Sequence, residues 1–268
     1  MSFEGRVALV TGAAHGQGAS HARHLARQGA RIAALDICRD IPTIYPLGTR
    51  AELDATVESI REEGAQAFAI EADVRSVAET RAAVEEVMAA YGRIDFLINN
   101  AGACIVEAVD AMSEESLDAI VDVNLKGVFN TMRFVAPAMK EQRYGKVVNT
   151  ASAGALKALP YASAYCAAKA AVITATRCWA RELARWEINV NSISPGTIFT
   201  GMTTGLAAQL GLEPDEAYAQ FTADHLFRGE RGQIAVEDIS RMVVFLCGED
   251  ARMITGQNYA VDAGWSAG

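Results

Sequence analysis

Residues 6–28 constrain this chain more than any other stretch. The apolar run RVALVT at 6–11 reads as a short strand. It passes directly into Gly12-Ala13-Ala14-His15-Gly16-Gln17-Gly18 and then into an amphipathic helix to about residue 28. A strand that turns on glycine into a helix begins a βαβ unit, and such units build parallel sheets. The glycine spacing is GxxxGxG. Gly12 allows the tight turn, while Gly16 and Gly18 let backbone approach a pyrophosphate attracted by the free N–H groups and positive end of the helix. An ordinary strand–helix turn can carry the same glycines, so the rest of the chain decides.

The alternation continues. Residues 31–36, 66–70, 94–98, 146–150, 188–193 and 257–261 read as strands, with helical patterns at 51–63, 77–91, 114–141, 162–186 and 235–248. This order predicts an α/β fold, a Rossmann-type doubly wound sheet of seven mainly parallel strands with helices on both faces. No repeat, linker or low-complexity tract divides the 268 residues, so 1–268 reads as a single dinucleotide-binding domain. Two segments break the rhythm. Residues 38–51 carry Pro42, Pro46 and Gly48 with the apolar Ile41, Ile44, Tyr45 and Leu47. Ordinary βα connections run about 2–6 residues, so this insert is placed to lie over the adenosine end of a nucleotide. Residues 197–233, rich in Met, Gly and Phe, read as irregular short helices forming a mobile substrate lid.

Composition narrows the function. A net charge of −9 with no long basic cluster speaks against nucleic acid, whose phosphates need clustered Lys and Arg. No apolar run approaches the roughly 18–20 residues of a membrane helix, and no secretory leader is visible, so a cytoplasmic protein is expected. Five scattered cysteines without a CxxC pair read as reduced thiols, and no metal ligand set is expected.

Chemistry-bearing residues fall at strand ends. Asp36 closes the second strand near the ~20-residue spacing from the glycine turn at which a carboxylate takes the adenosine ribose. It would repel a 2′-phosphate and so favours NAD over NADP, although Arg39 is close enough to soften that argument. Asp73 and Val74 follow the third strand, and Asn99-Asn100-Ala101-Gly102 the fourth, at the edge where open α/β sheets bind ligands. Tyr165 and Lys169 share one helix face at i and i+4, and Ser152 follows the fifth strand. A phenol with a cation within roughly 4–6 Å is drawn toward the phenolate, the tuning that acid–base work near neutral pH requires. Such a pair arises often by chance on helices. Asn124, inside the 114–141 helix among Val121, Val123, Leu125 and Val128, reads as partly buried and in need of partners.

Taken in order, TGAAHGQG at 11–18, NNAG at 99–102, Asn124, Ser152, Tyr165-xxx-Lys169 and PGTIFT at 195–200 resemble the short-chain dehydrogenase/reductase family over essentially the whole chain. The resemblance implies an NAD-dependent alcohol dehydrogenase or ketoreductase. In it Tyr165 is the general acid/base, Lys169 lowers its pKa and binds the nicotinamide ribose, Ser152 bonds the substrate oxygen, and Asn124 holds a water linking Lys169 to solvent. The implied cofactor site comprises Gly12, His15, Gly16, Gln17, Gly18, Asp36, Ile37, Asp73, Val74, Asn100, Ala101, Gly102, Pro195, Gly196, Ile198 and Thr200, together with Tyr165 and Lys169. His15 stands where NADP-preferring relatives often have a basic residue.

A small, rather apolar or terpenoid-like alcohol would meet Ala103, Cys104, Ile105, Leu156, Leu159, Met202 and Leu206. The family also implies a homotetramer through the 114–141 and 162–186 helices, which Trp265 could join. The insert, LDIC followed by YPLGT, resembles the mycofactocin-coupled, carveol dehydrogenase-like subset, which implies NAD recycled in place by a mycofactocin-type electron acceptor. Two alternatives stand: a 3-oxoacyl-carrier-protein reductase using NADPH, and a regulator that binds a dinucleotide without chemistry.

Overall fold

Every residue of strand β1 (Val7–Thr11) is buried, as a strand covered on both faces requires. The computed structural model describes residues 2–267, Glu230 by its backbone alone. Gly12, at φ +66°, turns the chain from β1 into helix α1 (Gly16–Arg27). The chain continues through β2 (Arg31–Asp36), α2 (Arg50–Glu62), β3 (Ala67–Glu71), α3 (Val77–Tyr91) and β4 (Phe96–Asn99). Next come α4 (Glu114–Val121), α5 (Gly127–Gln142), β5 (Gly145–Thr150), α6 (Gly154–Lys157), α7 (Ser163–Leu183) and β6 (Ile188–Pro195). Helices α8 (Gly201–Leu210), α9 (Pro214–Phe221) and α10 (Val236–Cys247) precede β7 (Asn258–Val261).

The seven strands pair in the order β3-β2-β1-β4-β5-β6-β7, and every pairing is parallel. The expected doubly wound sheet is therefore present. One apolar layer joins it to α1, α2 and α10 through residues such as Leu25, Leu53 and Ile239. The opposite layer joins it to α3, α5 and α7 through Val84, Met132 and Leu183. Strand order reverses between β1 and β4, so their carboxyl ends part and leave a crevice, the place where such sheets bind ligands. Among the described residues no helix is long and apolar enough to cross a membrane, and all five cysteines are free thiols.

Three local departures from the sequence reading matter. The insert ends sooner than 51: Thr49 caps α2, taking the Glu52 N–H at 3.3 Å while the Glu52 carboxylate takes the Thr49 N–H at 2.8 Å. Its apolar residues turn inward, with Ile41 and Tyr45 buried. The expected 114–141 helix is broken by a π-helical turn at Asp122–Lys126, centred on Asn124. Such bulges re-aim side chains and cluster at functional sites. The cause lies outside the helix: Asn124 bonds the backbone of Ala103 on a neighbouring loop, and Gly127 packs where a Cβ would lie 2.6 Å from Val74 Cγ2. Residues 197–233, expected as irregular short helices, contain two short helices that are regular, α8 and α9.

Candidate active site

At the reversal point the ends of β1, β2 and β4 open into a cleft lined by Gly12, Asp36, Asp73 and Asn100. The glycine turn forms its floor. A Cβ on Gly18 would lie 1.9 Å from the Gly12 carbonyl oxygen, so α1 can approach this turn only with glycine there. The end of β4 is tied to that of β1: the Asn100 side-chain amide donates to the Thr11 and Gly12 carbonyls at 3.1 and 3.2 Å. Thr11 Oγ1 takes the N–H groups of Asn100 and Ala101, both at 3.0 Å.

Asp36 is buried at the cleft wall and held by the N–H groups of Ala14 at 3.0 Å and Cys38 at 3.2 Å. Arg39 does not soften its charge; that guanidinium turns to Glu79 at 3.3 Å and Asp73 at 3.6 Å. Asp73 is itself held by Arg75 at 2.7 Å and lines the cleft beside Val74 and Ile37. Gln17 Oε1 is buried there without a protein partner, an acceptor that awaits a donor. Glycine floor, unpaired acceptor and uncompensated carboxylate together fit a dinucleotide whose adenosine ribose bears no 2′-phosphate.

A second cavity, of about 1070 Å³, adjoins the first and contains Ser152, Tyr165 and Lys169. Helix α7 delivers Tyr165 and Lys169 from one face, and Ser152 sits just past β5 and lines the same cavity. Lys169 Nζ donates to the Thr150 carbonyl at 2.8 Å. Asn124 stands behind this wall. Its amide donates to the Ala103 and Ile120 carbonyls at 2.8 and 2.9 Å, and its oxygen accepts the Ala103 N–H at 3.3 Å. Gly102 separates the two: a Cβ there would lie 2.9 Å from Asn124 Oδ1 and 3.2 Å from Lys169 Nζ.

The electrostatics correct one expectation. Tyr165 is not drawn down by Lys169. Burial pushes the phenol above its ordinary value, the Cys104 thiol adds to this, and the hydrogen bond with Ser152 pulls the other way. Burial also draws the Lys169 ammonium down to about 8. Its Nζ lies 5.8 Å from the Tyr165 ring centre, so the cation is at hand, but desolvation dominates both groups.

The structure brings nearly all the expected residues to these two adjoining cavities. Gly12, His15, Gly16, Ala101 and the residues around Asp36 and Asp73 line the first. Pro195, Gly196 and Ile198 line the second, while Gln17, Asn100, Gly102 and Thr200 line both. Gly18 sits behind the wall. Of the apolar candidates, Cys104, Leu159, Met202 and Leu206 face the second cavity and Ala103 the first. Ile105 is in the core behind, and Leu156 points to solvent. The sequence assigns Trp265 no place in the site. The structure makes it a wall of the second cavity, where Lys157 donates to its carbonyl at 3.2 Å and lies 4.9 Å from its ring centre. Tyr45 and Ile41 of the insert line the first cavity, where an insert lying over a nucleotide would put them.

A family model described as Enoyl-(Acyl carrier protein) reductase matches residues 12–266. The (-)-trans-carveol dehydrogenase of Rhodococcus erythropolis is 36% identical over 97% of each chain. A 3-oxoacyl-[acyl-carrier-protein] reductase of Staphylococcus aureus is also 36% identical, over 96% of each chain. The crystal structure of carveol dehydrogenase from Mycobacterium avium in complex with NAD superposes with a TM-score of 0.92 at 31% identity, covering 99% of each chain. Overall identity does not separate the dehydrogenase from the carrier-protein reductase.

Proposed function

Because the chain belongs to the short-chain dehydrogenase/reductase family, we propose that it uses NAD to interconvert a small apolar secondary alcohol, terpenoid-like in size, and its ketone. The observation that carries this reading is the placement of Ser152, Tyr165 and Lys169 in an apolar cavity that opens onto a dinucleotide cleft. Asp36, with no cation bonded to it, supports NAD; the NAD in the related carveol dehydrogenase crystal agrees.

Gly12, Gly16 and the N-terminus of α1 hold the pyrophosphate, and Asp36 the adenosine ribose. Ile37, Asp73 and Val74 flank the adenine, while Pro195, Gly196, Ile198 and Thr200 close the nicotinamide end. When bound, NAD supplies a cationic ring that accepts hydride. Ser152 bonds the alcohol oxygen and fixes it against Tyr165. Tyr165 takes the hydroxyl proton, and Lys169 holds the nicotinamide ribose and stabilises the phenolate. With NAD bound, its positive ring would add to the charge of Lys169 and offset the burial that keeps the phenol neutral. The Asn124 carbonyl, facing Lys169 across Gly102, holds the water that passes the proton outward. Proton transfer of this kind contributes roughly 10²–10⁴-fold in rate.

The carrier-protein reductase is the alternative reading, and Asp36, with no cation bonded to it, speaks against the NADPH it would use. An acidic carrier also needs a basic rim to dock, which a net charge of −9 does not favour. Rates over a panel of secondary alcohols, followed by nicotinamide absorbance with NAD and NADP, test the reading. Preference for NADP, or turnover confined to carrier-linked substrates, would remove it.

Helices α8 and α9 form the substrate lid of a single domain in a cytoplasmic enzyme. The Phe129–Trp179 edge-to-face pair on the outer sides of α5 and α7 marks the homotetramer contact, which a monomeric mass in solution would refute. Ile41 and Tyr45 of the insert cover the cleft, so NAD is recycled in place by a mycofactocin-type acceptor. Free exchange of bound NAD on dialysis would contradict that.

A further inference from the structure

Five residues line both cavities: Gln17, Asn100, Gly102, Thr200 and Met202. They surround the junction where a reactive ring must lie if it is to meet both the pyrophosphate turn and Tyr165. Polar side chains at this junction are few. The Asn100 amide is spent on the carbonyls of Thr11 and Gly12. Thr200 precedes α8 without a side-chain capping bond. Gln17, the second residue of α1, is different: its Oε1 is buried and accepts from nothing in the protein. Buried acceptors are nearly always paired, so this one is built for a donor that arrives with a ligand.

We propose that the Gln17 side-chain carbonyl positions the nicotinamide ring by accepting a hydrogen bond from its carboxamide N–H. The inference rests on the NAD reading above. Among the groups NAD brings to the junction, the carboxamide is the one N–H donor. The competing donors are the nicotinamide-ribose hydroxyls, which Lys169 holds, and a substrate hydroxyl, which Ser152 and Tyr165 receive on the far side of the cavity. Gln17 is thus a positioning residue. It fixes which way the carboxamide points and thereby how the ring faces the alcohol carbon.

The test is a binding cycle that needs no turnover. Dissociation constants are measured by calorimetry for NAD and for its 3-acetylpyridine analogue, which keeps the ring carbonyl but lacks the N–H. The parent protein should bind NAD about tenfold more tightly than the analogue, the scale of one buried hydrogen bond whose acceptor is otherwise left bare. Gln17→Met should weaken NAD by a similar factor and bind the two dinucleotides within about twofold. Gln17→Glu keeps an acceptor and should keep the preference. A parent that does not discriminate, or a Gln17→Met protein that retains the parental ratio, overturns the proposal and leaves the NAD reading intact. Failure of the parent to bind NAD at all removes that reading, and this inference with it.

Discussion

Adding one methyl group at Gly205 tests whether the insert and the lid act as one cover. A Cβ there would lie 2.3 Å from Tyr45 Cγ and 2.5 Å from its Cβ, far inside the 3.5–4.0 Å at which carbons pack. Gly205 lies mid-helix in α8 at an ordinary helical φ, so alanine alone would favour the helix by about 0.5–1 kcal/mol. Overpacking costs about 1–3 kcal/mol, and the contact falls on the root of a buried aromatic that cannot swing away at its far end. The net expectation is a loss of up to about 2.5 kcal/mol, a fall in Tm of up to roughly 10 °C for a chain of this size. Tyr45 also lines the cofactor cleft, so lifting it should speed NAD release. Tyr45→Gly, which removes the ring and the Cβ together, is destabilising by itself because it leaves a cavity. In the double variant the methyl meets neither ring nor Cβ, so the combined loss should fall short of the sum of the two by at least about 1 kcal/mol. Thermal melts of the parent, both single variants and the double variant give this coupling directly. A Gly205→Ala protein more stable than the parent, or strict additivity, refutes the proposed contact.

Asp36→Ala should cost about 1–3 kcal/mol in stability, since the Ala14 and Cys38 N–H groups lose their acceptor, and should raise the NADP-to-NAD ratio of kcat/KM; an unchanged ratio contradicts its ribose role. Lys169 has a folded pKa of about 8, below its ordinary 10.5, so the buried charge costs most below that value and the cost fades as pH rises toward 10. Parent stability relative to Lys169→Met should therefore increase with pH through this window in urea titrations without cofactor. A flat or falling difference refutes the burial argument.

Local strand–turn–helix signals were readable because they depend on neighbours in sequence. The Gly12–Gly18 turn, Asp36 at the end of β2 and the Tyr165–Lys169 face of α7 all belong to that class, and each stands where expected. What depended on distant partners was not readable. The π turn at Asn124 exists because Ala103 supplies bonds from another loop and Val74 crowds Gly127 from another. Trp265 lines the second cavity, with Lys157 of α6 reaching its carbonyl, a pairing no local pattern announces. The sign of the Tyr165 shift followed from burial beside Cys104 and Cys166, residues brought together only by folding. A cation at i+4 suggested the opposite.

Single-turnover hydride transfer in Tyr165→Phe tests the central claim most directly. The parent, loaded with NAD and mixed with a secondary alcohol that it turns over, should show a rapid rise in reduced-nicotinamide absorbance. Tyr165→Phe, with the same fold and an NAD dissociation constant within about threefold, should be slower by about 10²–10⁴-fold, the worth of a positioned acid–base group. A variant that reduces NAD at the parental rate would contradict the account.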